Sequence, residues 1–545
     1  MASKLKSSVV SAFKMHGYCL RSDASKYLVD ILLPVSEVSR EDWIDRILEA
    51  VEKQSLTSSV VDKGIVQAAV HECKTEGEDN SEEVMTIIDA FSVPKFTYLP
   101  DRKKFLPNLS CNKMAPNLHS TAKDKADIFR DRYQILHQRT CRHDLFTPLM
   151  LGATAEESAR KFQLKPIEYL LGCTAKIGEV IVLGMLTQVK EGKLYLEDPT
   201  GAVQLDLSTT SFHQGLFTEN SFVLAEGWYE DSIFHVNALG FPPAEPARTT
   251  RAYFGDVNFF GGPSKTSVKA SARLKLMEEQ NNGAMFVFLS DVWLDQAKVM
   301  EKLNVLFKGY SPIPPTAFIL CGNFCSEPYG PSYTKTLKKS FAQLADMLLQ
   351  FPELLESSKF VFVPGPLDPG PGKILPRPRL PAAITGEFER RVPQATFTSN
   401  PCRVQYCTQE IVVFRENAVA KTCRNCVRLP SAAGVAQHFV RTIIAQGHLC
   451  PLPLHLSPVY WSHDAALRLY PLPDVVVCAD AYDPYSETLS DCLVFNPGSF
   501  PKSGFSFKVY MPATKAVEVS RVRDMPTDTA DSIDAMQGAG DSAVW

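Results

Sequence analysis

Three apolar runs of the chain end in short polar turns: LSDVWLD (289–295), CGNFCSEP (321–328) and VPGPLDP (363–369). Polar residues gathered at neighbouring strand ends are the raw material of a dinuclear metal centre. Two divalent ions roughly 3.5–4 Å apart repel each other and demand several anionic ligands plus imidazoles. Such a pair binds a phosphate and generates the attacking hydroxide. Here the polar candidates are Asp291, Asn323, Ser326 and Asp368, with Trp293, Pro366 and Leu367 beside them. Two more lie downstream: His448 in QGHLCPL, and Asp480 after Ala479 in PDVVVCADAY.

The spacing of these turns resembles the calcineurin-like metallophosphoesterases. Active members carry D-x-H, G-D-x-x-D and G-N-H-D/E at these strand ends, then a His and a G-H-x-H. On that resemblance Asp291 stands at the first ligand position, but Trp293 takes the His position, and an indole nitrogen only donates. Asn323 replaces the bridging Asp and removes a negative charge. Ser326 replaces the second Asp of that motif. Pro366 and Leu367 replace the Asn and the His of the third, leaving Asp368 at its last place. His448 falls near the fourth position, and Ala479-Asp480 lie where G-H-x-H would. This set cannot hold two metals, so the expectation is a degenerate site with no metal, no cofactor and no catalysis. Elsewhere, Cys423-x-x-Cys426 with Cys402 and Cys407 nearby is a weak zinc signal without a second pair at ligand spacing. The expectation there is ordinary thiols.

Elements that would carry these turns are legible from about residue 284. The run MFVFL, the helical stretch 290–310, the run AFILC, the helical stretch 332–351 and the run KFVFVPGP alternate, which implies crossover units and parallel sheet. RVQYCTQEIVVFR, DVVVCAD, CLVFNPG and SGFSFKVYMP read as further strands. The expectation is two packed sheets with helices outside. Residues 174–242 instead hold five short strand-like segments with Glu191-Gly192 and Asp198-Pro199-Thr200-Gly201 turns, resembling an oligonucleotide/oligosaccharide-binding (OB) barrel in which Gly184 bends the long first strand. Acidic residues outnumber lysines there. Tyr195, Phe212, Phe217, Trp228, Tyr229 and Phe234 are therefore read as core or interface residues rather than a base-stacking platform. Residues 1–75 show helical stripes, with Ser39 and Asp42 placed as a capping box.

The chain has 545 residues, 45% apolar and 22% charged, with a formal net charge of −4. That gives no global basic footprint for autonomous nucleic-acid binding. No apolar run approaches the ~20 residues that span a bilayer. The N-terminal stretch reads as an amphipathic helix, not a secretory signal. Fourteen cysteines in such a chain point to reduced thiols in the cytosol or nucleus.

EGKLYLEDPTGAVQLDLS, TTRAYFGDVNFFGGP, AMFVFLSDVWLD, FVFVPGPLDPGPGKILPRPRLP, TSNPCRVQYCTQEIVVFRE and FNPGSFPKSGFSFKVY together resemble the B-subunits of the eukaryotic replicative DNA polymerases, and within them the epsilon branch. The fold class this implies is multidomain α+β. It comprises a helical module at 1–75 similar to the AAA+ lid, a connector at 76–165 and an OB-fold barrel at 166–250. A calcineurin-like α/β sandwich lacking metal ligands follows at 251–515, and a disordered tail at 516–545. The resemblance implies a non-catalytic accessory subunit in the nucleus. Its partners would be the metal-binding C-terminal domain of the catalytic subunit of DNA polymerase epsilon, the small histone-fold subunits of the holoenzyme and the replicative helicase complex. DNA would be met only indirectly, and no membrane. Trp228, Tyr229, Tyr329 and Arg377 are the expected interface anchors, and ILPRPRLP (374–381) is expected to be an extended surface segment. The alternatives are a metal-dependent phosphodiesterase or 3′-exonuclease, and a single-stranded-DNA-binding OB protein.

Overall fold

The computed structural model describes residues 2–33, 37–52, 59–78, 83–108, 116–147, 161–264, 266–430 and 434–523. The chain divides into two compact units, Met1–Glu83 and Val84–Trp545. In the first, helices Ala2–Met15, Ser22–Leu32, Glu37–Glu52 and Lys63–Glu78 bury one shared core that includes Phe13, Leu28, Ile47 and Val51. Two-residue strands, Cys19–Leu20 and Val60–Val61, pair in parallel beside it. The stripes expected from the sequence therefore supply this core. The capping box is corrected: Ser39 lies inside the helix Glu37–Glu52, not ahead of it.

The second unit contains a two-sheet sandwich. One sheet runs Ala395–Phe397, Lys359–Val363, Ala317–Cys321, Phe286–Ser290, Ser506–Met511, Ala516–Arg521, and its first four strands are parallel. The other runs Tyr485–Leu489, Cys492–Asn496, Val475–Ala479, Gln409–Arg415, Cys402–Tyr406, Met85–Asp89. Central strands are covered on both faces, which is why AFILC reads as an unbroken apolar run. Phe288, Ile319, Val361, Val413 and Val477 meet between the sheets. Val287, Leu289, Phe318 and Leu320 point the other way, onto helices Ala297–Tyr310 and Tyr333–Leu348. Each such fully buried Phe, Ile or Leu contributes about 1.5–3 kcal/mol, so this lattice holds the strand ends firmly.

Strands Ile177–Lys190, Lys193–Asp198, Gly201–Asp206, Phe222–Glu230 and Ile233–Gly240 close into a barrel, because Phe222–Glu230 pairs with both Ile177–Lys190 and Ile233–Gly240. Phe217 and Phe234 fill its interior with Val182, Leu196 and Val223. Gly184 permits close packing here: a Cβ on it would stand 2.6 Å from Leu196 Cγ. Helix Val435–Gln446 of the sandwich locks the barrel in place. Gln446 exchanges two 2.8 Å hydrogen bonds with the Phe222 backbone, and Thr442 Oγ1 accepts from Leu216 N at 2.9 Å.

Three expected boundaries are corrected. The connector placed at 76–165 contributes Met85–Asp89 as an edge strand of the sandwich, paired with Cys402–Tyr406, and contains the helix Ala122–Arg142. The tail placed at 516–545 begins inside a hairpin, since Ala516–Arg521 pairs with Ser506–Met511; residues 524–545 lie outside the described residues. The expected 290–310 helix starts only at Ala297, leaving 291–296 as the loop that carries Asp291 and Trp293. No helix among the described residues is long and apolar enough to cross a membrane.

Candidate functional site

Both sheets bring the ends of their parallel strands to one place. Asp291 follows Phe286–Ser290 with φ 55°, a left-handed conformation that a non-glycine residue adopts only where its surroundings impose it. Gly322 and Asn323 follow Ala317–Cys321. A Cβ at Gly322 would collide with the Asp368 carboxylate and the Gly365 amide, so only glycine lets these turns close on each other. From the second sheet come Arg415, last residue of its strand, and Ala479 in register with it.

Arg415 is the residue that sequence reasoning missed. Its side chain is fully buried, and Nη2 donates to Asp291 Oδ1 at 2.6 Å. Nη1 donates to Asn417 Oδ1 at 2.9 Å and to Ala479 O at 3.2 Å, while Nε donates to Gly322 O. Burial opposes the guanidinium charge, but Asp291, with Asp480 and Glu416 behind it, holds its pKa above the ordinary arginine value. The available signal was an arginine ending the wholly buried strand Gln409–Arg415, where a charge occurs almost only if paired.

The other expected ligands are also engaged within the chain. Asp368 accepts from Phe324 N at 2.8 Å and Gly365 N at 2.7 Å. Burial nevertheless pushes its carboxyl up to about 6, against those amides and the charges of Arg377 and Arg415. Asn323 Oδ1 accepts from Leu367 N at 2.9 Å. Asp480 accepts from Val419 N at 3.0 Å and Tyr482 N at 2.9 Å, and burial raises its pKa despite them. Ser326 turns aside to donate to Asp295 Oδ2 at 2.6 Å. Trp293 and Leu367 are half-buried, and the Lys502 ammonium lies 5.5 Å from the Trp293 ring centroid. These residues do not fit a dinuclear metal centre. Arg415 places a positive charge 2.6 Å from Asp291, Trp293 and Ala479 offer no side-chain lone pair, and Asn323 carries no charge. Among the described residues no group of three or more His, Cys, Asp or Glu could hold a metal ion.

His448 is corrected: it shares no hydrogen bond with the strand ends. It sits in a second buried charge cluster, where Nδ1 accepts from Cys450 N at 3.0 Å and Nε2 faces Asp464 Oδ1 at 3.2 Å. Arg132 of helix Ala122–Arg142 and Arg468 complete that cluster. Burial, then the Arg132 charge, push the imidazole down to about 4 against the pull of Asp464.

An open cleft of about 480 Å³ lies beside the barrel, lined by Ile181, Leu224 and Phe241 on one side and Arg441, Ala445 and Leu489 on the other. Two expected interface anchors are corrected. Tyr229 is buried, and Arg377 is buried and donates to the carbonyls of Asp368 and Gly372. The same burial takes in Leu375 and Leu380, so ILPRPRLP is largely a packed segment rather than a surface one. Trp228 is half-buried against His235, ring centroids 4.0 Å apart, and Tyr329 is exposed.

Three family models match the chain. "DNA polymerases epsilon N terminal" covers residues 1–73, and "DNA polymerase epsilon subunit 2-like, OB-fold domain" covers 122–243. The B-subunit model of DNA polymerases alpha and epsilon covers 286–487. The chain is 60% identical over 521 residues to DNA polymerase epsilon subunit 2 of Homo sapiens, covering 95% of this chain and 99% of that one. It is 42% identical over 523 residues to the Drosophila melanogaster protein of the same name, covering 95% and 98%. Among solved structures, an archaeal phosphodiesterase aligns at 10% identity and a TM-score of 0.24, over 43% of this chain and 98% of that one.

Proposed function

This chain belongs to the DNA polymerase epsilon subunit 2 family, and from that membership we propose that it is a non-catalytic scaffold of the replicative polymerase. Its calcineurin-like sandwich has lost the metal chemistry, and its sandwich and OB barrel together grip the metal-binding C-terminal domain of the catalytic subunit and stabilise the holoenzyme. The helical N-terminal module contacts further replisome components. The small histone-fold subunits and the replicative helicase complex are the proposed further partners, and the nucleus is the place of action. DNA is reached through the catalytic subunit.

One observation carries the non-catalytic reading: the Arg415 guanidinium lies 2.6 Å from Asp291, the carboxylate at the first ligand position. Its positive charge opposes a metal cation there, and Trp293, Asn323 and Ala479 supply no anionic ligand beside it. The gripping surface is assigned to the cleft of about 480 Å³, because barrel and sandwich residues line it jointly and Gln446 and Thr442 hold the two together. A mostly apolar concave surface of this kind suits an anchored protein contact.

Elemental analysis and phosphodiesterase assay of the purified full chain test the reading. The expected result is no stoichiometric pair of Mn, Fe or Zn, and no turnover of a phosphodiester. Two bound metals with turnover overturn it and return the alternative of a metal-dependent phosphodiesterase.

A further inference from the structure

The buried carboxylate of Asp291 poses a question of charge. Asp291 lies in the left-handed conformation at a strand end, with 3% exposure, and its Oδ1 accepts from Arg415 Nη2 at 2.6 Å. A carboxylate in such a place needs a cation; an unpaired one takes up a proton instead. Burial raises the pKa values of the neighbouring Asp368 and Asp480, and the Arg415 charge opposes that rise. The guanidinium contacts one buried carboxylate, Asp291, directly. It also donates to the carbonyls of Gly322 and Ala479, joining the turns of both sheets with one planar group. A fixed fork of donors is suited to this in a way a spherical ammonium is not.

We propose that Arg415 is the resident cation of the strand-end centre: its guanidinium neutralises Asp291 and ties the two sheets together, so the centre is complete without metal. This rests on the non-catalytic reading and deepens it. Losing ligands alone would leave Asp291 as an uncompensated charge in the core. Arg415 removes that liability and lets the turns keep their shape. It is a positioning residue, acting through Asp291 and the two carbonyls.

The test is thermal unfolding of the full chain carrying Arg415→Met, Asp291→Asn or both, each with and without millimolar Mn²⁺. The unaltered chain is expected to be indifferent to Mn²⁺. Each single substitution strands one buried charge, and Arg415→Met is expected to lower the midpoint by roughly 4 °C. The double variant strands neither charge and is expected to recover more than half of that loss. If Arg415→Met does not accumulate, recovery of folded double variant supports the proposal, and failure of both overturns it. Additive losses in a chain indifferent to Mn²⁺ overturn the counter-ion role alone, because Arg415 would then only brace two carbonyls. A saturable Mn²⁺ upshift in the unaltered chain, with phosphodiester turnover, overturns the counter-ion role and the non-catalytic reading together.

Discussion

At the strand ends, Asp291, Asp368, Arg415 and Asp480 are buried and spend their charge on one another and on backbone groups. Beside the barrel, Ile181, Leu224, Phe241 and Leu489 stay half-buried around a cleft of about 480 Å³. The first region is filled by the Arg415 guanidinium and its partners. The second has no chemistry to offer but presents area from two firmly joined bodies. The contrast says where substitutions should be felt. In the closed centre they should cost stability and leave partner affinity alone; in the open cleft they should cost affinity and leave stability alone.

The largest effect is expected from Gly322→Ala. Its new methyl collides with the Asp368 carboxylate, and the turn cannot retreat while Arg415 holds the Gly322 carbonyl. Overpacking of this kind costs about 3 kcal/mol, read by denaturant unfolding, with affinity of the remaining folded chain unchanged. Next comes acid sensitivity through the second buried cluster. The His448 pKa is about 4 in the folded chain, against an ordinary value of 6.5. Below pH 6.5 the unfolded chain takes up a proton that the folded chain refuses until about pH 4. Stability therefore falls as pH drops through that window, by up to roughly 3 kcal/mol. His448→Gln lacks this decline, so its deficit against the unaltered chain should narrow between pH 7 and pH 4 in unfolding titrations. Arg441→Glu, at the cleft, is expected to weaken binding of the catalytic subunit's C-terminal domain by about tenfold without moving the unfolding midpoint. Calorimetric titration reads it, and an equal loss of stability would erase the contrast between the regions. The smallest effect is expected from Tyr333→Phe. It removes a long 3.4 Å contact to Asp368 and should cost about 0.5–1 kcal/mol.

What the sequence disclosed follows physical range. Runs such as AFILC and PDVVVC are legible because strands covered on both faces must be apolar throughout. The turns after them are legible because glycine and polar residues punctuate such runs. Asp291, Asn323, Asp368 and Asp480 were found this way, and the structure brings them to one side of the sandwich. Arg415 was not, because its partner Asp291 is 124 positions away and no local pattern links them. His448 was misplaced for the same reason: Arg132, which it faces, is 316 positions away. Met85–Asp89 looked like connector because a five-residue edge strand is recognised only by the distant strand that pairs with it, here Cys402–Tyr406. Burial of Arg377 was equally hidden, since the carbonyls it serves come from a loop whose path depends on packing.

The account stands most directly on one mixing experiment, size-exclusion chromatography of the full chain with the C-terminal domain of a DNA polymerase epsilon catalytic subunit. Co-elution as one stable complex at micromolar concentration is the predicted result. Separate elution of the two, with both shown to be folded, would contradict the scaffold role.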